Sequence, residues 1–280
     1  MRVREALAQA RPMLEPVTES PASDARLLLA DTLGASTTWI LAHEDATISA
    51  DSADRFSTRV RRCVAGEPLP YVLGWWEFYG RPFAVDPRVL IPRPETEVLV
   101  DHALHELGQR PAPARVIDIG TGSGCIAVTL AAEVHGATIF AADVSREAIR
   151  VARANAERHG VGGQMRFIQA SLSDGLLGGW NLICANLPYL RSDRWHTATG
   201  AEGEPRLALD GGRNGTTLTE RLIRSLRWAL APRGLALIEI DEDQGPALSG
   251  IAAKSLLDGA IEIVADLAGK PRLLKTRRTS

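Results

Sequence analysis

Apolar residues recur at three- and four-residue spacing in the first part of the chain, a pattern typical of amphipathic helices. The second helix has clear end signals, because Ser20 is a suitable N-cap, Pro21 suits the first helical position and Gly34 suits the end. The sequence therefore predicts a small N-terminal helical bundle over residues 1–70. Its four helices are predicted near residues 2–14, 21–33, 39–41 and 50–64.

The pattern changes after residue 70, where aromatic and β-branched residues flank Gly80 and Arg81. This arrangement predicts a β-hairpin within a linker that spans residues 71–93. From residue 94 to residue 280, apolar runs alternate with helical patterns, which predicts a mostly parallel sheet covered by helices. The predicted strands lie near residues 115–119, 138–142, 165–169, 181–185, 235–240 and 260–264.

Composition narrows the class of protein. The 280 residues are 45% hydrophobic, enough for one large domain or for a catalytic domain with a small companion. The net charge of −2 gives no electrostatic sign of a nucleic-acid or membrane surface. The three cysteines lack CxxC spacing, so we expect neither disulfides nor a metal site. No apolar run approaches membrane-spanning length and the N-terminus lacks a signal-peptide core, so we expect a cytoplasmic protein.

A glycine-rich turn follows the first parallel strand. Gly120, Thr121, Gly122, Ser123 and Gly124 lie between that strand and the next predicted helix. A dinucleotide fingerprint places its third glycine one residue later than this chain does. The tighter turn suits a nucleoside without a pyrophosphate, such as S-adenosylmethionine, although such a turn is often only structural.

Two carboxylates accompany this turn. Asp118 precedes the glycines, and we expect it to organise their loop and the methionine ammonium group, or to be a buried carboxylate bonded to loop amides. Asp143 ends the next strand, where an acidic residue is well placed to bind ribose hydroxyls. Asp143 is also a possible N-cap for the following helix, a role that Ser145 suits as well.

The stretch Asn186-Leu187-Pro188-Tyr189 follows another buried strand, at the edge where open α/β sheets bind ligands. The Asn186 side-chain oxygen and the Leu187 carbonyl can each accept a hydrogen bond. Pro188 favours an extended conformation at Leu187, and Tyr189 offers a flat aromatic wall. The stretch therefore suits a planar group that carries an NH2, although alone it also fits an ordinary strand exit.

Several segments resemble the bacterial peptide chain release factor glutamine methyltransferases of the HemK type. Besides the glycine turn and the Asn186 stretch, the likeness rests on segments 90–97 and 204–212 and on the Asp266-Leu267-Ala268-Gly269 motif. The resemblance implies a Rossmann-like class I S-adenosylmethionine-dependent methyltransferase sheet. It also implies methyl transfer to the glutamine of a Gly-Gly-Gln motif in release factors, with S-adenosylhomocysteine as product. The helical bundle would hold the release factor, and we expect a monomer.

The chain departs from the family pattern at two sites that bear on function. Leu187 stands where proline is usual, so the backbone carbonyl remains but some rigidity is lost. Ser171 stands beside Leu172 where an aspartate commonly lies next to the adenine, so both residues are candidate cofactor contacts without that carboxylate.

Two other functions remain open at this stage. An adenine N6-methyltransferase acts on a chemically similar NH2, but it would need a basic face, and residues 1–70 hold eight Arg, no Lys and ten acidic residues. The departures at Leu187 and Ser171 also admit a non-catalytic relative that binds release factors. A dinucleotide-dependent oxidoreductase is disfavoured because Cys125 occupies the position of the third glycine.

Overall fold

The chain divides into two compact units, Met1–Trp75 and Trp76–Ser280. The computed structural model describes residues 1–110, 112–172, 178–197, 203–256 and 259–279. No helix in these ranges has both the length and the apolar character needed to cross a membrane.

The first unit is helical, as predicted. Its helices bury apolar residues at three- and four-residue spacing, as with Val3, Ala6, Ala10 and Leu14 in the first helix. Asp31 joins three parts of the unit, because its carboxylate accepts bonds from Arg59 at 2.7 Å and from the Trp75 indole at 2.7 Å. The helices are α1 (Val3–Leu14), α2 (Pro21–Leu33), α3 (Thr37–Ala42), α4 (Ala50–Val64) and α5 (Leu69–Leu73).

The predicted ends of α2 are correct, and Ser20 is its N-cap residue. Pro21 lies at the start of the helix and Gly34 ends it in the left-handed conformation, at φ +64°. The Ser20 hydroxyl, however, makes no capping hydrogen bond. Thr18 stabilises this helix start instead, since its hydroxyl donates to Asp24 at 2.6 Å and accepts from the Ser20 amide at 3.2 Å.

The β-hairpin is shorter than the predicted linker. Residues 71–73 belong to helix α5, because Pro68 and Pro70 favour a helix start and Gly74 ends the helix at φ +81°. Strands β1 (Trp75–Phe78) and β2 (Arg81–Ala84) form the hairpin. Its two turn residues are Tyr79 at φ +53° and Gly80 at φ +69°, not Gly80 and Arg81 as expected.

The second unit contains a seven-stranded sheet with the order β5-β4-β3-β6-β7-β9-β8. All neighbouring strands are parallel except at β9, which runs antiparallel to both of its neighbours. The six predicted strands are present, whereas β9 was not predicted. The strands are β3 (Ala114–Ile119), β4 (Ala137–Asp143), β5 (Met165–Gln169), β6 (Trp180–Ala185), β7 (Leu230–Glu239), β8 (Ala260–Ala265) and β9 (Pro271–Arg277).

Helices cover both faces of this sheet. Alternate strand residues point to opposite faces, so Val116 joins one apolar cluster with α6 and α7 while Ile117 joins another with α10 and α11. The fold is therefore the expected Rossmann-like α/β class. The helices of this unit are α6 (Glu97–Gly108), α7 (Cys125–Glu133), α8 (Arg146–Arg158), α9 (Arg206–Leu209), α10 (Thr217–Ala229) and α11 (Gly245–Ser255).

The strand order indicates where a ligand crevice lies in this sheet. From β3 the chain adds β4 and β5 on one side and then β6 and β7 on the other, so the order reverses between β3 and β6. Ile119 pairs with Ala142 of β4 and with Ala185 of β6. The residues that follow these three are Gly120, Asp143 and Asn186. The sheet register therefore brings the three predicted signals to one edge.

Candidate active site

The glycine turn is held rigidly at the carboxyl end of β3. Gly120, Gly122 and Gly124 have φ values of +77°, +54° and +82°, which side chains rarely tolerate. The amides of Gly120 and Thr121 both donate to the Ala142 carbonyl, at 2.8 and 3.0 Å. The turn is thus fixed to β4 through its backbone, and its path depends on glycine.

Close packing explains the early third glycine. A Cβ on Gly124 would lie 3.0 Å from the Ala152 Cβ and 3.1 Å from its Cα, because α8 packs directly on the turn. A Cβ on Gly120 would lie 3.0 Å from a methyl of Leu187. The turn therefore contacts both α8 and the segment after β6.

Asp118 is fully buried beneath the turn. Its Oδ2 accepts from the Thr121 hydroxyl at 2.7 Å, while its Oδ1 finds no partner within the described part of the chain. Burial raises the pKa of Asp118 to about 7, although bonds from Thr121 and the Ala127 amide oppose that rise. Asp118 is thus bonded to the loop as expected, with one oxygen left for a further donor.

Asp143 spans the turn and the next helix. Its Oδ2 accepts from the Gly122 amide at 3.0 Å and its Oδ1 accepts from the Ser145 amide at 2.8 Å. Ser145 is the N-cap of α8, since its hydroxyl accepts from the Ala148 amide at 3.2 Å. Because Ser145 fills the capping role, Asp143 keeps lone pairs for a ligand. Burial raises the pKa of Asp143.

Sequence reasoning missed Asn155, which lies on α8 and is completely buried. Its side-chain nitrogen donates to the carbonyls of Ser123 at 2.8 Å and Ala84 at 3.0 Å, and its oxygen accepts from the Ala84 amide at 2.8 Å. Asn155 therefore joins the glycine turn to the end of the hairpin. A lone asparagine in a helical pattern carries no sequence signal for this role.

The stretch after β6 lies beside the turn. Asn186 donates from its side-chain nitrogen to the Thr96 hydroxyl at 3.0 Å, and its side-chain oxygen accepts no bond from any described residue. Leu187 is only 4% exposed, with its side chain in the cluster that contains Ile119 and Leu172. No hydrogen bond reaches the Leu187 carbonyl from the described residues. Two acceptors are thus available here.

Tyr189 has a different setting. It is not among the residues that border the cavity, and burial raises the pKa of its hydroxyl to about 12. Its backbone carbonyl accepts from the Gln244 side chain at 3.1 Å, and that same nitrogen donates to the Gly215 carbonyl at 3.3 Å. The predicted contact between the Tyr189 ring and a substrate amide stays a prediction.

Two segments singled out in the sequence meet beside this stretch. The buried Glu204 carboxylate accepts from the Ile91 amide at 2.9 Å and forms an ion pair with Arg93. Gly211 lies so close to the stretch that a Cβ would fall 2.4 Å from the Pro188 carbonyl oxygen. The two segments are thus joined to each other, and Gly211 packs against the backbone that follows Asn186.

The glycine turn, Asp143 and the start of the Asn186 stretch border one cavity of about 480 Å³. This volume lies within the range of roughly 300–1,000 Å³ that is usual for small-molecule sites. Asp118, Gly124 and Tyr189 are the predicted site residues that do not border it. Those that do are Gly120, Thr121, Gly122, Ser123, Asp143, Ser171, Leu172, Asn186, Leu187 and Pro188.

Comparison with known proteins is consistent with this geometry. The family model "PrmC N-terminal domain" matches residues 5–74, and "Methyltransferase small domain" matches residues 95–202. The release factor glutamine methyltransferase of Nitratidesulfovibrio vulgaris is 38% identical over 97% of this chain and 94% of its own. That of Deinococcus radiodurans is 37% identical over 99% of both chains.

A solved structure shares the fold. The ribosomal protein L11 methylase from Lactobacillus delbrueckii subsp. bulgaricus has a TM-score of 0.50 and 23% sequence identity. The likeness covers 67% of this chain and 81% of that one. At this level of identity the similarity supports the sheet architecture alone.

Proposed function

The chain belongs to the release factor glutamine methyltransferase family, and from that membership we propose how its residues bind the donor and the acceptor. The protein is an S-adenosylmethionine-dependent protein-glutamine N5-methyltransferase. We propose that its acceptor is the Gly-Gly-Gln glutamine of a class I release factor. The observation that carries this assignment is the pair of available acceptors at Asn186 and Leu187 beside the glycine turn.

The residues of the cavity fit S-adenosylmethionine. A Cβ on Gly122 would meet nothing closer than 3.9 Å, so this part of the turn is open to a ligand. Asp143 keeps lone pairs for ribose hydroxyls. Asp118 does not border the cavity, so we propose that it acts on the donor indirectly, by holding the glycine turn through Thr121. Ser171 and Leu172 border the same cavity and are the proposed adenine contacts.

The acceptor amide requires a different set of contacts. A carboxamide nitrogen is a poor nucleophile because its lone pair is delocalised into the carbonyl. We assign the Asn186 Oδ1 and the Leu187 carbonyl to accept its two hydrogens, which orients the nitrogen and draws electron density toward it. Leucine keeps the backbone carbonyl of the family pattern, in which proline is usual, so the departure removes no required group.

Orientation is the main contribution of the protein. When bound, S-adenosylmethionine supplies an electrophilic sulfonium methyl group. Alignment of two reactants can contribute roughly 7–11 kcal/mol to lowering a barrier. No histidine borders the described cavity, which agrees with a reaction whose nitrogen loses its proton readily once methylated.

The helical unit is the proposed recognition domain for the release factor, with residues 71–93 as linker and 94–280 as catalytic domain. Support comes from its independent compact core and from the match of residues 5–74 to the N-terminal domain of the family. We further propose that the enzyme acts as a cytoplasmic monomer without direct nucleic-acid contact, in keeping with its net charge of −2.

The variant Asn186→Ala tests the acceptor site. We expect it to abolish methylation of a release factor while the Kd for S-adenosylmethionine, measured by calorimetry, changes little. A parallel loss of donor affinity and turnover would contradict the role assigned to Asn186. Asp143→Ala is the comparison variant, because we expect its main effect to be a higher Kd for S-adenosylmethionine.

A further inference from the structure

The Asn186 side chain can serve as an acceptor in only one of its two orientations. Its oxygen and nitrogen ends have nearly the same shape, and a rotation of 180° exchanges acceptor for donor. A rotated Asn186 would direct its NH2 at the NH2 of the substrate, so neither could accept. The reaction therefore needs a feature that fixes this orientation.

The structure contains a hydrogen-bonded partner for the nitrogen end. The Asn186 Nδ2 donates to the Thr96 hydroxyl at 3.0 Å, and Thr96 is only 2% exposed. A hydroxyl alone cannot fix the orientation, because it donates as readily as it accepts. If Thr96 had no other acceptor, it could donate to the oxygen of a rotated Asn186.

Glu239 removes this ambiguity. Its carboxyl group, at the end of β7, is 2% exposed and lies near Thr96 and Asn186, whose side chains lower its pKa through hydrogen bonding. An ionised carboxylate only accepts. It can therefore take the hydroxyl hydrogen of Thr96, which would leave Thr96 as an acceptor, and it would also attract the NH2 of Asn186.

The surroundings of Glu239 bear on its charge. Burial raises its pKa to about 7, while the bonds from Thr96 and the positive charge of Arg272 oppose this rise. Glu95 adds a negative charge nearby, and Tyr189 and Cys125 lie within electrostatic range of the carboxyl group. Arg272 is held by Asp266 at 3.3 Å, which gives the Asp266-Leu267-Ala268-Gly269 motif a link to the site.

One oxygen of Glu239, Oε2, has no hydrogen-bond partner among the described residues. A buried carboxylate with an unpaired oxygen lowers stability, because its desolvation is incompletely compensated. Because the burial of the Glu239 carboxylate lowers stability, a role in function explains its position better than a role in folding.

We propose that Thr96 and Glu239 are positioning residues that fix the Asn186 amide with its nitrogen turned toward them and its oxygen presented to the substrate amide. This inference rests on the proposed acceptor role of Asn186. Neither residue touches the reacting atoms. Their effect is to keep Asn186 in the accepting orientation during every encounter with substrate.

The central test compares Thr96→Val with Thr96→Ser at roughly pH 8.5, where Glu239 is ionised. Valine keeps the shape and removes the hydroxyl, so kcat should fall roughly tenfold, as expected for one lost hydrogen bond, with the Kd for S-adenosylmethionine within about twofold of wild type. Serine keeps the hydroxyl and should restore most of the turnover. Thr276→Val is the matched control, because Thr276 is fully buried with an unpartnered hydroxyl and does not border the cavity.

A double-mutant cycle gives the second readout. Glu239→Gln should lower kcat because an amide can also donate to Thr96, yet it should add little in the Thr96→Val background. The proposal is overturned if Thr96→Val matches Thr276→Val in kcat, if Thr96→Ser is as impaired as Thr96→Val, or if the two losses are additive. A wild-type enzyme that leaves release factors unmethylated would instead refute the proposed function.

Discussion

The side chain of Leu187 offers a quantitative test of how the donor turn and the acceptor stretch are packed together. It is 4% exposed, and one of its methyls lies 3.0 Å from the position that a Gly120 Cβ would occupy. Leu187→Ala removes three carbons from this contact and leaves a cavity under the turn. Substitutions of this type cost about 2–5 kcal/mol.

The expected change is large enough to measure by thermal unfolding. For a unit of this size, each kcal/mol shifts the Tm by roughly 2–4 °C, so Leu187→Ala should lower the Tm by about 4–20 °C. The Kd for S-adenosylmethionine should rise as well, because Gly120 loses its support. Circular dichroism and calorimetry measure the two quantities.

Leu267→Ala provides the control, since Leu267 is fully exposed and the same atoms are removed from contact with water. We expect its Tm to match that of the wild type within about 1 °C, as is usual for surface substitutions. If Leu187→Ala and Leu267→Ala had the same Tm, the packing role of Leu187 would be refuted.

Three further predictions concern the same edge of the sheet. Gly211→Ala should lower both Tm and turnover, because its Cβ would lie 2.4 Å from the Pro188 carbonyl oxygen. Gly250→Ala is the control and should lower neither, because its Cβ would have no atom within 4 Å. Thermal unfolding and initial rates measure the two quantities. Leu187→Pro should keep its kcat at saturating S-adenosylmethionine, because the Leu187 amide makes no hydrogen bond among the described residues, while the lost methyl contact with Gly120 should raise the Kd; a loss of kcat like that of Asn186→Ala would disprove this. Asp118→Asn should raise the Tm at pH 7 and weaken donor binding. The folded-state pKa of Asp118 is raised to about 7, so between about pH 4 and pH 7 this group ionises in the unfolded chain but not in the folded one, and stability falls as the pH rises. The Tm difference between Asp118→Asn and the wild type should therefore grow over this pH range. A difference that stays constant would contradict the raised pKa of Asp118.

Local pattern was sufficient to predict most of the fold. The parallel strands of the sheet and the bundle helices have clear periodicity and end signals. Strand β9 was missed because Arg272, Lys275 and Arg277 interrupt its apolar pattern. Residues 71–73 were misassigned because aromatic and β-branched residues also fit a short buried helix between prolines and glycine.

The site was predictable only where its residues follow strand ends. Gly120, Asp143 and Asn186 each come directly after a buried strand, so sheet topology alone brings them together. Asn155 and Thr96 could not be found this way, because their partners lie 71 and 90 residues away along the chain. Contacts of this kind depend on helix packing and have no local sequence pattern.

The most direct test of the account is peptide mass spectrometry of a release factor incubated with this protein and S-adenosylmethionine. The account predicts one added methyl group, located on the side-chain amide of the Gly-Gly-Gln glutamine and absent when Asn186→Ala replaces the wild type. An unmodified glutamine, from a preparation whose donor binding has been confirmed by calorimetry, would contradict the account and favour a nucleic-acid acceptor or a non-catalytic role.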